Sequence, residues 1–96
     1  MGRVRPLVEA TLTVGQIATG LSASSLRDLV EAEILIETGA VRMRVDGGDP
    51  TGAAGPLRER GYSKRLTGHE AVQARFIRAD SESEDARVQV TSYGWA

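Results

Sequence analysis

Leu29-Val30-Glu31-Ala32-Glu33-Ile34-Leu35-Ile36-Glu37-Thr38-Gly39-Ala40-Val41-Arg42-Met43-Arg44-Val45 is the stretch on which the fold turns. Its first arm puts Val30, Ala32, Ile34 and Ile36 on one face and Glu31, Glu33, Leu35 and Glu37 on the other. Beyond Gly39 the alternation resumes, with Val41, Met43 and Val45 on one side and Arg42 and Arg44 on the other. The period is two, that of a half-buried strand, rather than the 3.6 of a helix. A two-residue loop at Gly39-Ala40 predicts an antiparallel hairpin in which Ile36 lies opposite Met43, Ile34 opposite Val45 and Glu37 opposite Arg42. A slip of one residue would set isoleucines against arginines. A sheet that is apolar on one face and charged on the other covers a core from one side, as antiparallel sheets do and parallel sheets rarely do.

Further strands lie on both sides of this stretch. Residues 7–14, Leu-Val-Glu-Ala-Thr-Leu-Thr-Val, are rich in β-branched side chains and stop at Gly15, which predicts a first strand. Residues 21–25 read as a loop, with Ser25 placed to cap a short helical turn through Arg27 and Asp28. Residues 46–61 hold Gly47, Gly48, Gly52, Gly55 and Gly61 together with Pro50 and Pro56, too many breakers for a regular element, and read as a long loop. A short strand is expected over 62–66 and a turn over 67–70. A further strand over 71–79 would put Val72, Ala74 and Phe76 on one face. Residues 80–85, Asp-Ser-Glu-Ser-Glu-Asp, read as an acidic hairpin loop before a last strand over 86–93. The expectation is an all-β chain: a small antiparallel β-sandwich or barrel of about six strands with little or no helix. It is read as a single domain over 1–96, with a short N-terminal arm (about 1–6) and the long loop (about 46–61).

Composition narrows the function classes. A chain of 96 residues buries roughly 64% of its unfolded surface, enough for one modest core. Twelve basic and 13 acidic residues nearly cancel, so no global field draws the chain to nucleic acid or to an anionic membrane. The absence of cysteine excludes a disulfide scaffold, a thiolate metal site and a cysteine nucleophile. No apolar run approaches the ~20 residues of a membrane helix or forms a signal-peptide core, which predicts a soluble protein made in the cytoplasm.

Motifs for catalysis are weak. His69 is the only histidine and has Ser63 and Glu70 near it in sequence, but nothing supplies a nucleophile elbow or an oxyanion site. Asp46-Gly47-Gly48-Asp49 resembles the start of a calcium loop yet lacks the later ligands, and reads as an ordinary turn. The glycines from Gly47 to Gly55 are not followed by the Lys-Ser or Lys-Thr of a phosphate loop. Arg42, Arg44, Arg75 and Arg78 would form a basic stripe if their strands were neighbours. Without aromatic platforms, pairing with Glu31, Glu33 and Glu37 is the simpler expectation. The chain is therefore expected to be non-enzymatic and to need no cofactor or metal.

Contact with other proteins is the better-supported expectation. Arg3 and Arg5 precede the first strand as an arm. Asp46, Asp49, Pro50, Arg58 and Arg60 belong to the long loop, and Tyr93 and Trp95 place two of the four aromatics near the C-terminus. These nine residues are the candidate protein interface.

The run from Ala40 through Arg44-Val45-Asp46-Gly47-Gly48-Asp49-Pro50 to Thr51, then Gly55-Pro56-Leu57, Leu66-Thr67-Gly68, Ala74-Arg75-Phe76-Ile77-Arg78-Ala79 and Ala86-Arg87-Val88-Gln89-Val90-Thr91, resembles small structural proteins of tailed bacteriophages. In those proteins a strand ending in Val-Arg-Tyr-Arg or similar enters an Asp-Gly-x-x-Pro-Thr loop, followed by a Gly-rich segment, a Phe-Ile strand and a terminal Val-x-Val strand. The resemblance covers residues 29–93. Arg58-Glu59-Arg60-Gly61 and the length of the acidic loop depart from it. It implies a β-sandwich virion component, a decoration or cement protein that binds the assembled head through the major capsid protein and associates with itself as a trimer or ring. A head-tail connector or tail accessory role is the alternative within that class. A stand-alone carbohydrate- or nucleic-acid-binding module is the alternative outside it.

Overall fold

The computed structural model describes residues 4–95 as two antiparallel sheets packed face to face. The elements run β1 (Val4–Val14), α1 (Ala23–Leu26), β2 (Glu31–Thr38), β3 (Ala40–Arg44), β4 (Leu57–Glu59), β5 (Ser63–Thr67), α2 (Gly68–Gln73), β6 (Arg75–Arg78) and β7 (Ala86–Trp95). One sheet has the order β1-β7-β2-β5 and the other β4-β3-β6. The small antiparallel all-β sandwich expected from alternation is what the chain forms.

The hairpin at Gly39 is not. β2 and β3 belong to different sheets: Ile36 lies opposite Val88 of β7, and Met43 lies opposite Phe76 of β6. Glu37 does not face Arg42, whose neighbours are Leu57 and Ile77. A single residue, Gly39, separates the two strands, too few for a two-residue hairpin loop. It takes φ 79°, and the chain arches across the core, so the apolar faces of the two arms meet each other instead of lying side by side. Ile34, Ile36 and Ala32 on one side and Val41, Met43 and Phe76 on the other are buried in that core with Val88, Val90 and Leu66.

Other connections also change sheets, β4 to β5 through Gly61, β5 to β6 through α2, and β6 to β7 through residues 79–85. The acidic segment is thus an arch and not a hairpin loop. Backbone bonds close two sides of the sandwich. After β1, the Thr19 and Phe76 amides and carbonyls pair at 2.8 and 2.7 Å, and the Arg78 amide donates to the Gly15 carbonyl at 2.8 Å. On the other side Gly61 donates to Ile36 O at 2.8 Å, and Ile36 N to Tyr62 O at 2.9 Å.

Three further expectations change. Residues 67–73 do not begin with a plain turn followed by a strand. Thr67 Oγ1 accepts from the Glu70 amide at 3.1 Å while Glu70 Oε1 accepts from the Thr67 amide at 3.0 Å, a capping box that starts α2. Val72, read as inward, is 65% exposed on that helix. The long loop contains β4, giving seven strands, and residues 4–6 of the expected arm are the first rungs of β1, paired from Val4 with Trp95. Ser22, not Ser25, caps α1, and buried Ser25 accepts a 2.6 Å bond from Ser92 Oγ that ties the helix to β7.

Gly39→Ala should be costly twice over. The left-handed backbone disfavours any side chain, and a Cβ there would stand 3.0 Å from Ala86 Cβ and 3.2 Å from its Cα. Gly61, at φ 90°, has nothing within 4 Å of such a Cβ. Urea unfolding should show a loss of about 1 kcal/mol for Gly61→Ala and clearly more for Gly39→Ala. Equal losses would mean that the Ala86 contact does not constrain the arch.

Glu70 and Asp46 contribute to the acid limb of stability. The Thr67 amide holds the Glu70 carboxyl below its ordinary 4.5, and the Arg44 guanidinium holds Asp46 below 3.8. A carboxyl with a depressed folded pKa contributes stability that is fully present above its unfolded pKa and is lost as pH falls through the folded value. The unfolding midpoint should therefore decline below about pH 4, and Glu70→Gln, which keeps the capping geometry, should flatten that decline.

Candidate protein-binding surface

Antiparallel connectivity gathers several candidate residues at one end of the sandwich. β1 begins beside the end of β7, with Arg5 opposite Gly94, and β2 begins opposite Tyr93. Arg5 and Trp95 line one cleft of about 510 Å³ with Leu7, Asp28, Leu29 and Val30. Trp95 is 62% exposed, so its indole closes no core. Gly94 is where the backbone comes closest: a Cβ at that position would meet Leu7 Cδ1 and the Asp28 carbonyl oxygen at 2.8 Å. Asp28 sits at φ 55° on the cleft wall, a left-handed conformation that Asp tolerates better than most residues. Arg3 lies outside the described residues.

Tyr93 stands one rung inward on the outer face of the larger sheet. The Arg65 guanidinium lies 4.3 Å from its ring centroid. Arg65 also bonds Glu31 at 2.7 Å and approaches Glu33 at 3.7 Å. Glu31 and Glu33 of β2 are thus matched by β5, not by the arginines of β3 expected from the hairpin.

Three of the four arginines expected in a stripe, Arg42, Arg44 and Arg75, share one face and have local partners, whereas Arg78 lies opposite buried Val41 on the other face and bonds Asp85 at 3.1 Å. Arg44 lies directly opposite Arg75, and Arg42 opposite Ile77, on the outer face of the smaller sheet. Two cations facing across a ladder repel. Asp46 answers Arg44 at 2.7 Å, and Asp49 answers Arg75 at 3.0 Å. Arg42 reaches under residues 45–56 and donates to the Gly55 carbonyl at 2.9 Å and to the Gly52 carbonyl at 3.4 Å. Thr51 and Ala54 bridge to each other, Pro50 is buried, and the Asp80 amide donates to Gly52 O at 2.9 Å. The segment that carries Asp46, Asp49 and Pro50 is a strap fastened over its own sheet, with Pro50 buried and both carboxylates exposed. Asp46 also accepts from the Gly48 amide at 3.1 Å, so its oxygens are committed within the turn.

Arg58, on β4, lies 4.7 Å from the Tyr62 ring centroid, while Arg60 is exposed at the turn before β5. His69 is exposed on α2. Among the described residues no group of three or more His, Cys, Asp or Glu is placed to hold a metal ion, and no helix is long and apolar enough to cross a membrane. The structure brings Arg5 and Trp95 together, sends Tyr93 to the sheet face, and separates both from Arg58 and Arg60. Missed in the sequence were Asp28 and Leu7. The visible signal was Gly94, which puts a close approach between two aromatics.

No protein-family model, no curated protein and no solved structure matches this chain.

Arg42→Ala should loosen the strap without unfolding the sandwich, since the guanidinium holds two loop carbonyls. Hydrogen exchange at the Thr51, Ala54 and Asp80 amides should accelerate by about tenfold, with core amides of β2 and β7 unchanged. Uniform acceleration everywhere would show that Arg42 supports the fold and not the loop.

Proposed function

We propose that this chain is a non-enzymatic virion structural protein that docks on the assembled head of a tailed bacteriophage as a decoration or cement protein. The observation that carries the docking reading is Trp95, an exposed aromatic at the end of β7 that shares an open cleft with Arg5 and Asp28. Tryptophan and arginine supply disproportionate binding energy where a partner excludes water from them. The motif order over residues 29–93 supports the virion assignment. A small sandwich suits a repeated site, because a ligand that binds only the assembled lattice stabilises it by mass action, and many copies make weak single contacts sufficient. Near-neutral charge lets neighbouring copies crowd.

Contact between copies has a natural place at the outer edge of β1, eleven residues long with no strand beyond it in the sheet. Pro6 and the irregularity between Pro6 and Val8 limit how far such pairing extends.

Co-sedimentation with expanded and unexpanded shells tests the reading. The chain should pellet with at least one form, and Trp95→Ala should weaken binding by about tenfold or more while shifting the unfolding free energy by less than ~0.5 kcal/mol. Arg5→Ala should act in the same direction. Absence of binding to any shell, with tight binding to a glycan, would transfer the protein to the carbohydrate-binding class.

A further inference from the structure

The larger sheet ends on β5 and the smaller on β4, and between these two edges lies a second cleft, of about 260 Å³. Its floor and rim are Met43, Val45 and Pro56, and its charged lining is Arg44, Asp46, Arg58 and Lys64. Register places two of the cations unusually. Arg58 lies opposite Val41 and Lys64 opposite Ile34, and both partners are fully buried. Both cations therefore occupy inward-facing positions of their strands.

Their charges are unequally answered. Arg44 and Asp46 neutralise each other at 2.7 Å. Lys64 has Glu70 at 3.7 Å, long for a charge-assisted bond. Arg58 has the Tyr62 ring, and its Nε is buried with no hydrogen-bond partner, alone in this respect among the side-chain nitrogens and oxygens of the described residues. A buried donor of a cationic group left without an acceptor costs free energy. An inward charge at a sheet edge does discourage edge-to-edge pairing. That purpose is served by a cation whose head reaches solvent, as that of Lys64 does, and leaves the buried Arg58 Nε unexplained.

We propose that this cleft is a recognition site for an acidic peptide segment of a partner protein. A Glu or Asp carboxylate would sit between Arg58 and Lys64, and an adjacent apolar side chain would rest on Val45 and Pro56. Arginine offers a planar fork matched to a carboxylate, and the Tyr62 ring holds that fork in one plane. The apolar rim beside the cations favours a peptide over a bare inorganic anion, which would leave Val45 and Pro56 uncovered.

The test is an NMR titration of the isotopically labelled full chain with N-acetyl-Leu-Glu-amide, its Leu-Gln analogue and inorganic phosphate. The glutamate peptide should shift the amides of Val45, Arg58 and Lys64 saturably, and the glutamine analogue should bind about tenfold or more weakly. Arg58→Gln should weaken binding similarly. Lys64→Gln, at a half-exposed position whose head reaches solvent, provides the second variant should Arg58→Gln disturb packing. Equal binding of the two peptides, phosphate binding as tightly as the glutamate peptide, or indifference to Lys64→Gln would each overturn the proposal. The titration uses the chain alone, so its failure counts against this cleft, whereas failure to bind shells counts against the virion reading.

Discussion

The arch at Gly39 is the constraint from which the rest of the structure follows. Because one residue carries the chain from Thr38 to Ala40 across the core, the apolar faces of β2 and β3 oppose each other and become the two walls of the sandwich. Ile34 and Ile36 then need a strand beside β2, which β7 supplies from the far end of the chain, and Met43 needs Phe76, which β6 supplies. At Gly39 the positive φ and the nearness of Ala86, where β7 begins, leave no room for a side chain. A hairpin would have left both arms on one wall with nothing opposite.

Alternation in sequence is the same for both outcomes, and this explains what was legible. Period two assigned the right residues to the interior: Ala32, Ile34, Ile36, Val41, Met43, Val88 and Val90 are buried as expected. It could not assign them to sheets, because a hairpin and an arch both keep apolar residues facing inward along each arm. The error in pairing then propagated to the charges. Glu31 and Glu33 were matched with the arginines of β3 because those were nearest in sequence, whereas Arg65 faces them from β5. The helix over Gly68–Gln73 did leave a readable mark in Thr67-x-x-Glu70, a reciprocal cap that outweighs the apparent alternation of Val72 and Ala74. β4 left none, since three residues between Pro56 and Arg60 carry too short a pattern.

Arg44 against Arg75 shows how a local repulsion organises a loop. The two cations face across β3 and β6, and the acids that relieve them, Asp46 and Asp49, are carried by the segment that leaves β3. Bending back to reach both arginines brings that segment over its own sheet, where Arg42 takes its carbonyls. Glycine content suggested a free loop. The side chains beneath it determine that it is held.

These internal pairings occupy much of the polar surface of the two broad faces. The strap covers the smaller sheet, and on the larger one Thr11 pairs with Gln89 while Arg65 gathers Glu31, Glu33 and Tyr93. Around the rim, Trp95 stands exposed beside Arg5 at one end, and Arg58 and Lys64 line the cleft where the two sheets part. On the proposed reading, contacts at these sites would run along narrow edges and not across a flat face. Such contacts suit a body wedged at joints between other proteins, where each single contact is weak and the geometry of the lattice supplies the rest.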